Sequence, residues 1–319
     1  MPDKKSSLTT IIQATLHATH QRSFRWVFAV ISLVITFTIL AYLVYNQREI
    51  LFTYNWQFRY GPAILSFIIF SFDLLFVSII WGWIMNTLGK KISYLKHFRY
   101  YSISNITKRI PGTIWYIASR ARLYRRDGVD YKLTSIASGM EFAISVMSGI
   151  IIILLFATSI ISNYHFDPII LAAGFLFTGI LIHPRVMNRI FRLFKVEATV
   201  FSYKNILQWL LAHMLVWILG GVLLFVIGNI ITVIPIQELA YIIGVFSLVG
   251  VLSTTFFLLP SSFGVTEVGI SLLLMNIVPA PIAVIISVLA RILIIFYEIL
   301  WATLSIYIKP QEDQLTQMD

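Results

Sequence analysis

Apolar residues occupy most of the chain in long uninterrupted runs, and polar residues are gathered between them. The first run, Trp26–Tyr45, has about the 20 residues that an α-helix needs to cross a bilayer. The later runs are Pro62–Met85, Leu133–Ile160, Pro168–His183, Asn205–Ile231, Glu238–Leu259, Val265–Val278 and Ala280–Ile308. The pattern predicts an all-α fold: a polytopic integral membrane helix bundle of about eight transmembrane segments, forming one domain over residues 26–308.

Two stretches do not fit simple membrane-spanning helices. His97–Arg120 is aromatic and moderately apolar, but Pro111-Gly112 interrupts it and its cations make it too charged to span. We expect either an interfacial amphipathic helix or a re-entrant segment there. Leu259–Gly264 contains Pro260 and carries no charge that would hold it in water. Irregular backbone at membrane depth persists only where protein or a water-filled cavity satisfies its polar groups. One or two broken or re-entrant segments are therefore expected.

Lysine and arginine alternate between rich and poor connections along the chain. Loop 86–132 holds eleven of them, loop 184–204 holds five, and the polar segment 1–25 holds four, whereas residues 161–167 and 232–237 hold none. The positive-inside rule then predicts a multi-pass cell-membrane protein with a cytoplasmic N-terminus. Eight crossings place the short C-terminal tail, residues 309–319, in the cytoplasm as well.

Composition restricts the class of protein and of chemistry. Hydrophobic residues make up 58% of the 319 and charged residues only 12%, against about 25% charged in soluble domains. Membrane topology accounts for the net charge of +10, so we expect no nucleic-acid partner. The chain has no cysteine and its six histidines are scattered. The chain also has no sequence motif for metal binding, nucleotide binding or nucleophilic catalysis. We therefore expect that the protein binds no metal or cofactor and is not an enzyme.

Five Asp, Glu or Arg residues lie inside the apolar runs, away from the first and last residue of each run: Asp73, Glu141, Glu267, Arg291 and Glu298. A charge at the bilayer centre costs about 2.5–3.5 kcal/mol on insertion scales, so such residues usually face protein or a water-filled path. Arg291 is eleven residues into its run, too deep to reach an interface easily. It requires a carboxylate, carbonyl groups or an anionic ligand. A structural ion pair with Glu267, a lipid-phosphate site and a proton relay remain alternatives.

Arg120, Glu141 and Asp73 form a second group of candidates. Arg120 follows the apolar segment 114–119, and we expect it to reach the edge of a cavity. Glu141 and Asp73 either neutralise a cation of the Pro-Gly region, take part in proton coupling, or are protonated carboxyls bonded between helices. For most of the cluster Lys108–Arg126, topology and attraction to anionic lipid are a sufficient explanation.

The segment Pro260, Gly264 and Glu267, followed by Arg291 in the last helix, resembles the flippase-like family named for the lysylphosphatidylglycerol synthase transmembrane region. Pro111-Gly112 and Arg120 resemble that family's N-terminal signature, although Trp115 stands where Gly is common. Glu141 matches a frequent Glu, but Phe142 and Ser145 replace the Arg and Asp that often accompany it. The resemblance covers roughly residues 25–308.

The resemblance implies a translocator of an anionic phospholipid or a polyprenyl-phosphate-linked lipid, with membrane lipid as its partner. Because the chain ends about eleven residues after its last helix, we expect no soluble aminoacyl-transferase domain and no synthesis of aminoacyl lipid. The alternatives are a membrane subunit or enzyme of lipid-linked glycan or headgroup metabolism, with a glycosyltransferase or a second copy as partner, and a scaffold whose charges pair internally. The predicted substrate-binding residues are Asp73, Pro111, Gly112, Trp115, Arg120, Glu141, Pro260, Gly264, Glu267, Arg291 and Glu298.

Overall fold

A computed structural model describes residues 34–109, 115–157, 160, 167–196, 202–255 and 264–308. Within these ranges the chain is helical and has no strand. The helices are α1 Val34–Asn46, α2 Arg48–Thr53, α3 Tyr60–Leu88, α4 Tyr94–Ile106, α5 Trp115–Arg125, α6 Tyr131–Phe156, α7 Pro168–Ile182, α8 Pro184–Leu193, α9 Tyr203–Ile231, α10 Leu239–Thr255, α11 Val265–Leu274 and α12 Ala280–Tyr307. Residues 1–33, 110–114 and 256–263 lie outside the description, and so do the predicted terminal segments.

Five helical stretches are long and apolar enough to cross a membrane: α3, α6, α9, α12, and α10 together with the turn before it. The pair α7 and α8, bent by 56°, makes a sixth if it counts as one span. The all-helical, multi-pass prediction is thus confirmed, but the count of about eight is not. The predicted run 265–278 contains α11 of only 10 residues, about 15 Å long and half of a bilayer core.

Helix α3 shows how such a segment sits in the bundle. One face carries exposed apolar side chains at helical spacing, including Ile64, Ile68 and Phe72, and the other face buries Phe70 and Leu74. A helix that is apolar on every side is typical of a membrane span, with one face toward lipid and one toward protein.

Two long helices joined by a short helical hairpin form a unit that occurs twice. In the first unit α3 and α6 flank the pair α4 and α5, and in the second α9 and α12 flank the pair α10 and α11. The long helices match in length, 29 and 26 residues against 29 and 28. The helices α5 and α11 match as well, with 11 and 10 residues.

The second unit runs in the opposite direction to the first. The Arg59 N–H, before α3, donates to the Ile230 carbonyl near the end of α9 at 2.9 Å. At the other end of the same two helices, Trp83 stacks edge-on against Trp209. Helices α3 and α9 are therefore antiparallel. The first hairpin therefore starts from one end of the bundle and the second from the other end, which is the arrangement of an inverted repeat.

The packing follows the same symmetry. Exchange of the two units relates α3 to α9, α4 to α10, α5 to α11 and α6 to α12. Helix α4 packs on α12, and its counterpart α10 packs on α6; α5 packs on α6, and α11 packs on α12. We call the end where α3 finishes and α6 and α9 begin the basic end, because loops 86–132 and 184–204 lie there. The first hairpin enters from the basic end and the second from the opposite end.

Gly221 permits a close backbone approach between α9 and α10 of the second unit. A Cβ on Gly221 of α9 would lie 2.6 Å from the backbone Cα of Ile243 in α10, whereas a Cβ on Gly139 of α6 would meet nothing within 4 Å. We therefore expect Gly221→Ala to lower the free energy of unfolding by about 1–3 kcal/mol, because the backbones must separate. The matched Gly139→Ala should be neutral or slightly stabilising, since Ala favours helix. Unfolding in mixed detergent measures both, and equal stabilities would contradict the prediction.

Two tryptophans near the ends of membrane-spanning helices lie in the interior of the bundle, although tryptophans at such positions commonly face the membrane interface. Trp81 and Trp209 are fully buried. They lie near the ends of apolar runs, as belt residues do, but α4, α5 and the neighbouring spans cover them. Position along a run gives depth in the membrane but not the direction of a side chain around the helix, so an interfacial location does not follow from position alone.

Candidate functional site

Arg120 lies at the centre of the first hairpin and is completely enclosed. It is the sixth residue of α5 and has no exposed surface. Its Nη1 donates to Oε2 of Glu141 on α6 at 2.6 Å, which makes a charge-assisted hydrogen bond. Of the three alternatives given for Glu141, this contact corresponds to the one in which it neutralises a cation that follows the Pro-Gly region. The expectation that Arg120 reaches the edge of a cavity is not met, because protein surrounds its side chain.

Aromatic rings from three helices surround the Arg120 guanidinium. Its Cζ lies 4.1 Å from the ring centre of Trp81, 4.5 Å from that of Tyr101 and 5.4 Å from that of Tyr116. These distances are within the range of cation–π attraction, which strengthens where water is excluded. The Arg120 charge is thus stabilised by the Glu141 carboxylate and by three aromatic rings. This arrangement forms only when α4 packs onto α3 and α5.

A hydrogen-bonded chain continues from this cluster toward the basic end. Trp81 Nε1 donates to the Tyr124 hydroxyl at 2.7 Å, and that hydroxyl also bonds His97 Nδ1. His97 Nε2 lies 3.1 Å from Oδ1 of Asn86. Burial lowers the pKa of His97 to about 4, against smaller opposing effects of the Ile92 backbone and Asp127. The imidazole is therefore neutral at physiological pH, and it holds α4 against α3 by hydrogen bonds rather than by charge.

The inner end of the first hairpin, where α4 ends and a 3-10 turn follows, lies close to Asp73 of α3 and Glu298 of α12. Asn105 on α4 donates from Nδ2 to Oε1 of Glu298 on α12 at 3.1 Å. Lys108, in the 3-10 turn after α4, lies over the rings of Tyr101 and Tyr116 and interacts electrostatically with Asp73. Asp73 is near the middle of α3. Residues 97–109 therefore run inward along α3 rather than across its end, as the re-entrant alternative predicts.

The inner end also contains buried polar atoms without a partner in the described part of the chain. They are Oδ1 of Asp73, Oγ of Ser102, Oδ1 of Asn105 and Nη2 of Arg120. Buried polar atoms in proteins are nearly always hydrogen-bonded, to protein, water or ligand. Their grouping around one hairpin indicates a polar interior at this point.

Glu267 and Arg291 form the corresponding pair of the second unit. Arg291 Nε lies 3.3 Å from Glu267 Oε1, and the second carboxylate oxygen accepts the Gly264 N–H at 2.8 Å. Gly264 is the residue before α11 and has a φ of +101°, a conformation that glycine adopts without the steric cost of a Cβ. Glu267 thus lies in the first turn of α11, where it accepts a hydrogen bond from the residue before the helix and also faces the arginine.

The two ion pairs occupy equivalent places in the repeat, with the charges exchanged. Arg120 is on the hairpin and Glu141 is the eleventh residue of the following span; Glu267 is on the hairpin and Arg291 is the twelfth residue of its span. They differ in accessibility. The side chains of Arg120 and Glu141 are 0% and 9% exposed, whereas those of Arg291 and Glu267 are 17% and 10% exposed. The second pair is the more open of the two.

The remaining predicted site residues divide into two groups. Trp115 begins α5 and its side chain is more than half exposed. Pro111, Gly112 and Pro260 lie outside the described residues. The structure brings Asp73, Arg120, Glu141 and Glu298 to the first hairpin, and Gly264, Glu267 and Arg291 to the second, with α12 carrying one residue of each group.

Sequence reasoning did not single out Trp81, Ser104 or Asn105 as site residues. Ser104 Oγ lies 3.4 Å from Arg120 Nε, and the other two contact Arg120 and Glu298 as described. One signal was present: Tyr101, Asn105 and Lys108 recur at i, i+4 and i+7, which puts them on one face of α4. No group of three or more potential metal ligands exists among the described residues. The chain matches no protein-family model and no curated protein sequence.

Proposed function

We propose that this protein is a flippase-like translocator of an anionic phospholipid or a polyprenyl-phosphate-linked lipid. The observation that carries the proposal is the inverted repeat, in which each unit directs a short hairpin with an ion pair toward the interior from one end. The resemblance to the flippase-like family of the lysylphosphatidylglycerol synthase transmembrane region, based on Gly264, Glu267 and Arg291, supports the same function.

Inverted repeats favour transport for a geometric reason. Two units of similar structure but opposite direction can exchange conformations, and the exchange turns an opening toward one face into an opening toward the other. The unequal accessibility of the two ion pairs is what one of these two conformations requires: the Arg120 pair is closed while the Arg291 pair is partly open. In the other conformation the accessibilities are reversed.

Arg291 is the residue that meets a phosphate in this proposal. Its guanidinium provides planar paired donors that suit phosphate oxygens, and it retains exposed surface. Glu267 neutralises it while no lipid is bound, so the empty site does not leave a cation in an apolar interior. The lipid tails remain beside the apolar outer faces of the spans, and only the headgroup passes between the units.

Translocation in reconstituted vesicles tests the proposal. Fluorescent phosphatidylglycerol, phosphatidylcholine and a polyprenyl phosphate are each placed in vesicles with and without protein, and a membrane-impermeant quencher reports the outer-leaflet fraction. We expect the protein to raise the quenched fraction of one phosphate-bearing anionic lipid from about half toward all of it, because inner-leaflet lipid reaches the quencher. Phosphatidylcholine should remain at the level of protein-free vesicles. Equal movement of every lipid, or movement of none, would contradict the function.

A further inference from the structure

A cleft at the basic end lies apart from both ion pairs. It encloses about 450 Å³ and is lined by Tyr131, Lys132, Ser135, Ile136 and Phe194. The first four belong to the opening turns of α6, and Phe194 follows the last residue of α8. We propose that this cleft binds the headgroup of an anionic phospholipid of the adjacent leaflet. The proposal does not depend on translocation.

The bend between α7 and α8 shapes the cleft. Helix α7 packs along α6, with Gly174 against Ile150 and Gly179 against Met147. The chain then turns by 56° into α8. At the C-terminal end of α8, the Lys132 Nζ of α6 donates a hydrogen bond to the Phe194 carbonyl at 3.3 Å, and this bond connects α8 to α6. The cleft therefore has a wall of α6, a rim of Phe194 and an ammonium group at its edge.

The lining matches the two parts of a phospholipid. Ile136 and the rings of Tyr131 and Phe194, which are 53% and 50% exposed, offer apolar surface to an acyl chain. The Lys132 ammonium and the Ser135 hydroxyl provide polar groups at the same opening. A lipid that carries both an apolar chain and a negative phosphate satisfies both parts of this surface, whereas a soluble anion leaves the rings exposed.

The surrounding charge favours an anionic occupant. Arg185, Arg189 and Arg192 recur at i, i+4 and i+7 on the exposed face of α8, opposite buried Met187 and Phe191. Lys195 follows Phe194 and is exposed too. Asp130 is the acidic residue nearest in sequence to the cleft residues of α6, and its side chain accepts a hydrogen bond from the Lys132 backbone N–H at the start of that helix. Cations near a membrane surface attract anionic lipid by about 1 kcal/mol each.

A photocrosslinking probe in the cleft tests the proposal. Phe194 is replaced by p-benzoylphenylalanine, which keeps an aromatic ring at the rim, and the protein is reconstituted in vesicles of equal phosphatidylglycerol and phosphatidylcholine. Mass spectrometry of the crosslinked peptide identifies the lipid. We expect phosphatidylglycerol to exceed phosphatidylcholine by at least about fivefold, the factor that Lys132 alone supplies. Lys132→Gln should lower the ratio about fivefold from the parent value, because one cation is lost and the arginines of α8 remain, whereas Lys132→Arg should retain it.

Lys91→Gln is the matched control, because Lys91 is an exposed cation of the basic end outside the cleft. Its ratio should equal that of the unmodified protein. Equal capture of both lipids by the parent protein would overturn the proposal, as would an unchanged ratio in Lys132→Gln. Crosslinks to a second protein chain instead of lipid would identify the cleft as an interface between copies and overturn it as well. Size-exclusion profiles confirm that each variant is folded.

Discussion

Glu141→Gln is expected to lower the free energy of unfolding by about 3–5 kcal/mol, more than the loss expected for Gly221→Ala. The side chain keeps its size and an acceptor oxygen, but Arg120 loses the only carboxylate that its hydrogen bonds reach within the described residues. The guanidinium then remains as a charge without exposed surface and cannot turn to water. Thermal unfolding in detergent, followed by the recovery of monodisperse protein, measures the change.

Two controls separate the charge from the position. Glu49→Gln removes an exposed carboxylate of α2 and should leave the unfolding temperature unchanged. Arg120→Met combined with Glu141→Leu removes both charges and should recover much of the loss, since a buried pair can often be exchanged for apolar residues at little cost. Equal stability of Glu141→Gln and the parent protein would show that Arg120 is not dependent on this carboxylate.

Arg291→Ala is expected to reduce lipid translocation to the level of protein-free vesicles while the protein stays folded. The arginine is the more accessible cation of the two pairs, so its loss removes a phosphate ligand and creates less buried imbalance than loss of Arg120 would. Arg189→Ala, which removes an exposed cation of α8, should translocate at the normal rate. The quenching assay measures transport, and size-exclusion chromatography shows that the variants remain folded.

A charge swap distinguishes a binding role from a structural one. The double variant Glu267→Arg with Arg291→Glu restores an ion pair but puts the cation on α11 instead of α12. It also removes the carboxylate that accepts the Gly264 N–H, at a cost of about 1 kcal/mol for a lost cap. We expect this variant to fold and to remain inactive. Recovery of full transport would show that the pair only holds α11 against α12.

The sequence predicts the helical, multi-pass class well because apolar length and charge alternation are properties of single segments. It also includes the pairs Arg291 with Glu267 and Glu141 with Arg120 among its alternatives, because a charge inside an apolar run requires a partner, but it does not choose between a protein partner and a ligand. The rings around Arg120 could not be predicted, since Trp81, Tyr101 and Tyr116 come from three helices whose packing no local pattern encodes. The inverted repeat was likewise hidden, because α5 and α11 lie in stretches that resemble irregular loops or short spans.

The exchanged charges of the two ion pairs have an electrical consequence. With the predicted orientation, the first hairpin carries Arg120 in from the cytoplasmic face, and the second carries Glu267 in from the outer face. A resting potential that is negative inside draws a positive charge toward the cytoplasm and a negative charge outward, with about 2.3 kcal/mol of work for each charge that crosses a full 100 mV. One voltage therefore pulls both hairpins back toward their own faces, and the hairpins respond to it in concert.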